Sequence, residues 1–182
     1  MSADRYRLYS TEGLVEVIDS MARQTIALLD DTPTTFVGML RRGSPIAQRL
    51  MAAVQARMPG ADFAYADLLV KRYADNLELL YPQTHLEVAT QLVLRGRRVI
   101  VVDDVLYQGY SLFRVIEWLR TQDVAAIHAA VLVDRQRYLL PVRADIVGMT
   151  LKIAPGDVIE CSVPPYESEF AIDLWRPATS ST

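Results

Sequence analysis

Along the chain, stretches with hydrophobic residues at helical spacing alternate with short, continuous hydrophobic runs. The first helical pattern covers residues 11–30, and its apolar positions are Leu14, Ile18, Met21 and Ile26. This spacing predicts an amphipathic helix with Thr11 as its N-cap. A second helix is predicted to begin at Ser44 and Pro45, with the serine as cap and the proline in the first turn, and to continue to about Arg57.

The continuous runs predict the strands of a buried sheet. The clearest is Val99–Val102, a β-branched run typical of a strand that is covered on both faces. Further strands are predicted for residues 35–40, 63–73, 126–133 and 146–148. Because strands alternate with helices, the pattern predicts an α/β fold with a mostly parallel sheet. Residues 74–92 lack a clean period, and we interpret them as a long loop or a mobile arm.

Composition narrows the class of protein without identifying it. The 182 residues include 19 Lys and Arg and 22 Asp and Glu, a net charge of −3, and 51% are hydrophobic. These values are typical of a single globular domain, here residues 1–182 with a disordered tail at 178–182. The single cysteine, Cys161, excludes an internal disulfide. The N-terminus is polar and no apolar run approaches about 20 residues, so we expect a cytoplasmic protein without a membrane helix.

Polar residues follow three of the predicted strands. Arg42 comes shortly after the first strand. Asp103 and Asp104 come directly after the buried valine-rich run, and Asp134 and Arg135 follow the next run. In parallel sheets, ligands bind beyond the carboxyl ends of the strands. The sequence therefore predicts a ligand site where these three polar strand ends meet.

The loop after the aspartate pair has the composition of a ribose-phosphate site. A tight loop at 105–110 leads into a helix predicted for residues 111–121. Backbone N–H groups at a helix start attract phosphate, Gly109 allows close approach or a positive φ, and Ser111 adds a hydroxyl donor. The two carboxylates accept hydrogen bonds from ribose hydroxyls, directly or through Mg²⁺. The alternative is purely structural, with the aspartates capping the next helix and the glycine relieving a turn.

Three segments resemble one known family. Residues 99–111, VIVVDDVLYQGYS, resemble the phosphoribosyl-diphosphate (PRPP) motif of type I phosphoribosyltransferases, and in particular the VDDVLYTGRT motif of the PyrR family. Residues 36–50, FVGMLRRGSPIAQRL, and 130–148, AVLVDRQRYLLPVRADIVG, resemble that family's VGI-x-TRG-x-x-LA-x-RL and AVLVDRGHRELPIRADFVG segments. The PyrR proteins regulate pyrimidine operons, and many are also uracil phosphoribosyltransferases. The resemblance implies the type I phosphoribosyltransferase fold, a central, mostly parallel sheet flanked by helices, with a small hood and a flexible loop.

The resemblance also implies a reaction and the residues that perform it. The reaction transfers ribose 5-phosphate from PRPP to uracil, giving UMP and pyrophosphate, with Mg²⁺ as cofactor. Asp103, Asp104 and Arg42 are the implied catalytic residues, and the two aspartates hold the ribose hydroxyls and the metal. The residues implied to bind the phosphate groups of PRPP are Arg41, Gly43, Tyr107, Gln108, Gly109, Tyr110 and Ser111.

Two other regions have implied roles. Asp134 and Arg135 border the base, and a flexible loop at about 72–92, with Tyr73 and Asp75, closes over the site. The family's usual assembly implies a homodimer or a higher homo-oligomer. Part of the family binds RNA, which implies RNA as a further partner.

The sequence departs from the family pattern at the site itself. Gln108 and Tyr110 replace the first threonine and the arginine of TGRT, and Ala74 replaces the arginine of the loop's YRDD motif. Residues 136–139 differ from the family's GHRE, and Arg41 replaces a threonine. Two functions therefore stay open: a working phosphoribosyltransferase with altered affinity, or a catalytically weak or inactive nucleotide-sensing regulator that acts through RNA or a protein partner.

A group of arginines bears on the RNA prediction. Arg95, Arg97 and Arg98 precede the buried valine-rich strand. A positive face for RNA would need them to cluster with Arg41, Arg42, Arg49 and Arg57. The alternative is an ordinary solvated turn, which the net charge of −3 favours.

Overall fold

The computed structural model describes residues 4–70, 86–88 and 94–177. These ranges contain three helices and nine strands. In chain order the elements are β1 (Asp4–Tyr9), α1 (Thr11–Ile26), β2 (Thr34–Met39), α2 (Gly43–Gln55), β3 (Phe63–Val70), β4 (Leu86–Val88), β5 (Arg98–Leu106), α3 (Tyr110–Leu119), β6 (Ala126–Asp134), β7 (Ile146–Thr150), β8 (Val158–Ser162) and β9 (Ala171–Arg176).

The central sheet has six strands in the order β4-β3-β2-β5-β6-β7. The five strands β3, β2, β5, β6 and β7 are parallel. The short edge strand β4 pairs antiparallel with β3. Helices α2 and α3 lie in the connections from β2 to β3 and from β5 to β6, whereas the parallel pair β6 and β7 is joined by residues 135–145 without a helix. The predicted α/β fold with a mostly parallel sheet is confirmed.

Strand β5 lies at the middle of the molecule, and alternate residues of it belong to two different cores. Ile100 and Val102 pack with side chains of α1 and α2 on one face of the sheet. Val99 and Val101 pack with side chains of α3 on the other face. Each of these four side chains is at most 1% exposed. This double burial is the reason for the continuous β-branched run, because both faces of the strand must be apolar.

A second sheet, β1-β9-β8, joins the two ends of the described chain in a small antiparallel hood. Its centre is Asp173 on β9, which is 1% exposed. Arg5 and Arg7 on β1 each donate a hydrogen bond of 2.7 Å to its carboxylate. Both arginines thus compensate the burial of a charge that would otherwise be costly.

Two predicted helix caps are wrong. The N-cap position of α1 is Ser10, whereas Thr11 lies in the first turn and its hydroxyl donates to the Phe170 carbonyl oxygen at 2.9 Å. The N-cap position of α2 is Arg42, and Ser44 lies inside the helix with its hydroxyl 2.7 Å from that of Tyr65. In both cases a long-range partner takes the hydroxyl that a local cap would have used.

Several element boundaries also differ from the prediction. Helix α1 ends at Ile26 rather than near residue 30, since Asp30 accepts from the Thr32 N–H and makes the turn into β2. Strand β5 does not end at the aspartate pair but continues to Leu106, because pairing with β6 outweighs the polarity of these residues. A three-residue strand, β4, lies within the predicted loop 74–92.

Parts of two predictions lie outside the described residues. These are the disordered tail at 178–182 and the flexible loop at 72–92 apart from Leu86–Val88, including Tyr73 and Asp75. The single-domain assignment stays a prediction. Across the described ranges, no helix is both long and apolar enough to cross a membrane.

The contact between β7 and α1 depends on a glycine, so we predict that Gly148→Ala destabilises the fold. A Cβ at this position would lie 2.6 Å from the Leu132 carbonyl oxygen and 2.8 Å from Val17 Cγ1. Overpacking of this kind typically costs about 1–3 kcal/mol of unfolding free energy, which urea denaturation measures. Gly60→Ala is the control, since nothing lies within 4 Å of its Cβ position. Equal stability of the two variants would contradict the packing argument.

The hood is expected to lose stability in acid through Asp173. Burial alone would raise the pKa of Asp173, but the hydrogen bonds from Arg7 and Arg5 outweigh it and hold the pKa below its ordinary value. A carboxyl whose pKa is lower in the folded state stabilises the fold above its unfolded pKa, near 4, and loses that contribution as the pH falls further. Urea midpoints at pH 7 and pH 3 should therefore differ less in Asp173→Asn than in the parent.

The control for that experiment is Asp31→Asn, at an exposed position outside the hood. It should keep the parent's full difference between the two pH values. If Asp173→Asn kept it too, the ion pairs of Asp173 would not be the source of the acid sensitivity.

Candidate active site

Parallel pairing brings the predicted polar strand ends to one edge of the sheet. Gly38 on β2 is in register with Val102 on β5, so the residues that follow them lie at the same height. On the other side of β5, Asp103 is in register with Val131, and Leu106 with Asp134. The turn after β2, the aspartate pair and the end of β6 are therefore neighbours at the carboxyl edge.

The turn at residues 40–43 packs directly onto β5. A Cβ on Gly43 would lie 2.4 Å from the Val102 carbonyl oxygen and 3.0 Å from the Cα of Asp103, so only glycine allows this approach. The Leu40 N–H donates to the Leu68 carbonyl oxygen at 2.9 Å, which attaches the turn to β3 as well. Helix α2 starts at this point, so its first N–H groups, which have no partner within the helix, lie beside the aspartate pair.

The aspartate pair is shaped by its own backbone. One carboxylate oxygen of Asp103 accepts from the Asp104 N–H at 2.9 Å, and one of Asp104 accepts from the Val105 N–H at 2.8 Å. Asp103 is 8% exposed and Asp104 is half-buried. Two carboxylates held in this way at a sheet edge can accept hydrogen bonds from hydroxyls or ligate a hard cation.

A cleft of about 210 Å³ lies between Asp103 and the start of α3. The residues lining it are Asp103, Val105, Leu106, Tyr107, Gln108, Gly109, Tyr110, Ser111, Leu112 and Val131. Gly109 is the N-cap residue of α3 and has φ +92°, a left-handed conformation that favours glycine. The Gln108 carbonyl oxygen accepts from the Leu139 N–H at 3.1 Å, which fixes the loop against the next segment. The first residues of α3 therefore line the cleft, and the N–H groups of a helix start, which have no partner within the helix, favour the binding of an anion.

The two predicted base-side residues have different surroundings. Asp134 is 4% exposed and accepts from the Gln136 N–H at 2.8 Å and the Tyr138 hydroxyl at 2.5 Å. Burial, and then this hydrogen bond to Asp134, raise the pKa of Tyr138 to about 12. Arg135 is 9% exposed, its Cζ lies 4.3 Å from the centroid of the Tyr107 ring, and its Nε has no hydrogen-bond partner among the described residues. Of the two side chains, Arg135 is thus the one with a polar group that lacks a hydrogen-bond partner among the described residues.

Sequence reasoning did not find Glu167, which the hood brings to Arg42. The Nε and Nη2 groups of Arg42 donate to Oε1 of Glu167 at 3.1 and 2.7 Å. The segment around Glu167 carries no recognisable motif, and the two residues are 125 positions apart. Only the folding of the hood over the sheet edge reveals the pair.

The predicted arginine group does not gather on one face. Arg97 and Arg98 lie at the start of β5, the opposite edge from Arg41 and Arg42, and pair with Asp62 and Asp30 respectively. Arg95 is 83% exposed in the turn before β5, as the solvated-turn alternative predicts, whereas the side chains of Arg97 and Arg98 are only 17% and 8% exposed and form no free positive surface. RNA binding stays a prediction.

Comparison with known proteins agrees with this geometry. Residues 5–168 match the family described as phosphoribosyl transferase domain. The chain is 32% identical to the bifunctional protein PyrR of Elusimicrobium minutum over 167 residues, 90% of this chain and 92% of the relative. It is also 32% identical to the bifunctional protein PyrR of Deinococcus deserti over 178 residues, 96% of this chain and 92% of the relative.

Solved structures support the fold alone. A hypoxanthine phosphoribosyltransferase from Trypanosoma cruzi superposes with a TM-score of 0.75 at 19% identity, covering 96% of both chains. A hypoxanthine-guanine phosphoribosyltransferase from Bacillus anthracis has a TM-score of 0.73 at 16% identity and covers 97% of this chain and all of that one.

The conformation of Gly109 yields a prediction for the cleft. Gly109→Ala puts a Cβ at a positive φ, which costs about 1–2 kcal/mol, although that Cβ would make only ordinary contacts, at 3.6 Å to the Val142 Cβ and 3.7 Å to the Leu140 Cβ. If the loop must keep this shape to bind a phosphate, ribose 5-phosphate binding should weaken roughly five- to thirtyfold by calorimetry. Gly96→Ala, also at a positive φ (+71°) in open space but at the other end of the sheet, should leave binding unchanged. If both variants bound ribose 5-phosphate with equal affinity, the cleft would not be the phosphate site.

Proposed function

The chain belongs to the phosphoribosyltransferase family and, within it, to the PyrR proteins, and from this premise we propose that it transfers ribose 5-phosphate from PRPP to uracil. The products are UMP and pyrophosphate. The observation that carries the proposal is the aspartate pair, buried at Asp103 and half-buried at Asp104, between the start of α3 and the arginine turn at 40–43. The choice of uracil follows the PyrR relatives, since the structural neighbours act on hypoxanthine and are too distant to bear on the base.

In the proposed reaction, the bond between C1′ of the ribose and the pyrophosphate oxygen breaks, and its electron pair leaves with pyrophosphate. A new bond forms between C1′ and a ring nitrogen of uracil, which releases its proton. Asp103 and Asp104 orient the ribose hydroxyls, the loop around Gly109 holds the 5′-phosphate, and Arg42 and the backbone of Gly43 meet the leaving pyrophosphate. Fixed cations and N–H groups at that position stabilise the charge that develops on the leaving group.

The aspartate pair fits the Mg²⁺ that the family implies. Mg²⁺ prefers oxygen ligands and is commonly held by one or two carboxylates together with water and substrate phosphates. Asp103 and Asp104 are two such carboxylates, and their surroundings include no third acidic or histidine ligand among the described residues. Bound there, the metal would neutralise charge on the pyrophosphate of PRPP.

The base pocket is assigned to the side of Arg135. Its guanidinium is buried against Tyr107 and its Nε is unpartnered among the described residues, so a hydrogen-bond acceptor of the base would satisfy it. Asp134 already binds two partners in its own segment, and we assign it the role of holding that segment.

A second function, nucleotide sensing with regulation of pyrimidine biosynthesis, is supported by the word "bifunctional" in the names of the PyrR relatives. Its partner would be RNA or another protein, and assembly into a homodimer or higher homo-oligomer belongs to the same proposal. Gln108 and Tyr110, which depart from the family's phosphate loop, are the residues in the cleft that favour weak turnover.

UMP formation from uracil and PRPP with Mg²⁺ tests the proposed reaction. We expect turnover in the parent and a loss of about a hundredfold or more in kcat in Asp103→Asn and Asp104→Asn, since each removes a negative charge that is proposed to hold the ribose hydroxyls and Mg²⁺. Product formation is measured by chromatography of labelled uracil. Asp31→Asn, the same chemical change at an exposed position far from the cleft, should behave as the parent.

A folded parent that forms no UMP would overturn uracil transfer. Binding of UMP by that inactive parent would then favour the sensing function. If both aspartate variants kept the parent's turnover, the aspartate pair would not take part in the reaction.

A further inference from the structure

The hood reaches the turn at residues 40–43 through two contacts to neighbouring arginines. The Cζ of Arg41 lies 4.9 Å from the centroid of the Tyr166 ring. Arg42 donates through Nε and Nη2 to a single oxygen, Oε1 of Glu167. Because both partners belong to the segment between β8 and β9, that segment sets where the two guanidinium groups lie.

Glu167 is itself held in place. Its second oxygen, Oε2, accepts from the Val163 N–H at 2.8 Å. The hydrogen bond from Arg42 is the main cause that lowers the pKa of Glu167, which is therefore ionised at neutral pH. A carboxylate tied at one end to the backbone and at the other to a guanidinium is a rigid support rather than a mobile surface charge.

The pair leaves most of the guanidinium available. A guanidinium has five N–H groups, and Glu167 accepts from two of them. Arg42 also lies close enough to Asp104 for their charges to interact. Arg42 is thus held along one edge while it remains beside the aspartate pair.

We propose that Glu167 is a positioning residue for the transfer reaction: its carboxylate holds Arg42 in the orientation in which the remaining N–H groups meet the pyrophosphate of PRPP. This inference rests on the proposed function. A free arginine side chain has several rotatable bonds, and ordering it during the reaction would cost conformational entropy. A prearranged cation stabilises the leaving pyrophosphate without that cost.

The test compares Glu167→Gln with Glu169→Gln, the same chemical change on the same segment. Glu169 pairs with Arg7 in a half-exposed ion pair, and among the described residues it does not contact Arg42. In Glu167→Gln we expect kcat to fall roughly ten- to hundredfold, the value of one charge-assisted hydrogen bond, while KM for uracil stays within about twofold. Glu169→Gln should match the parent. Urea denaturation of both variants checks that the fold is intact.

A double-mutant cycle with Arg42→Ala separates positioning from other roles. If Glu167 acts only through Arg42, then Glu167→Gln adds no further loss of kcat in the Arg42→Ala background. Additive losses would overturn the proposal, as would a Glu167→Gln variant with the parent's kcat. A Glu167→Gln variant that binds pyrophosphate more tightly than the parent would also overturn it, since Glu167 would then be blocking Arg42.

Calorimetry with magnesium pyrophosphate distinguishes the failure of this inference from that of the proposed reaction. In one outcome the parent forms no UMP but binds pyrophosphate, and Glu167→Gln weakens that binding roughly tenfold or more. This result would contradict uracil transfer and support the positioning role of Glu167. In a second outcome the parent forms UMP, and Glu167→Gln equals it in kcat and in pyrophosphate affinity. This result would support uracil transfer and contradict the positioning role of Glu167. A parent that neither forms UMP nor binds pyrophosphate would remove both.

Discussion

The parallel pairing of β5 with both β2 and β6 is the constraint on which the site depends. It places the ends of three strands at one edge, so backbone pairing makes neighbours of residues that are far apart in the sequence. Gly43 then allows the turn after β2 to touch the backbone of Val102 and Asp103. The polar site is therefore positioned by apolar packing on both faces of β5, which makes its geometry as rigid as the core beneath it.

The hood adds what the sheet alone does not supply. Asp173 attaches β1 to β9 through Arg5 and Arg7, and this fixes the small sheet that carries the segment with Glu167. Cys161, on β8 of the same sheet, is buried, and burial together with the charge of Asp104 raises its thiol pKa. A neutral side chain under the aspartate pair adds no competing charge. The hood thus brings to the site the carboxylate of Glu167, which binds Arg42, and the neutral thiol of Cys161.

The sequence predicted those features that depend on local pattern. The run Val99–Val102 indicated a strand buried on both faces, and it is one, because its alternate side chains must each fill a core. The caps at Thr11 and Ser44 failed because their hydroxyls bind partners distant in sequence, which no local pattern encodes. The Arg42–Glu167 pair was not predicted for the same reason, since the two residues meet only once the hood has folded.

The departures from the family's phosphate loop are best judged by what the backbone does there. The shape of the loop comes from the left-handed Gly109 and from the bond between the Gln108 carbonyl and the Leu139 N–H, neither of which depends on the side chain at position 108. A helix start also offers backbone N–H groups to a phosphate whatever the side chains at positions 108 and 110. Tyr110 is half-exposed, so the arginine that it replaces would have added a partly solvated cation, and such a cation contributes modestly to affinity. The departures thus weaken the hold on the 5′-phosphate more than they alter the groups proposed to act at C1′, and this favours a phosphoribosyltransferase of altered affinity over a protein that only binds nucleotides.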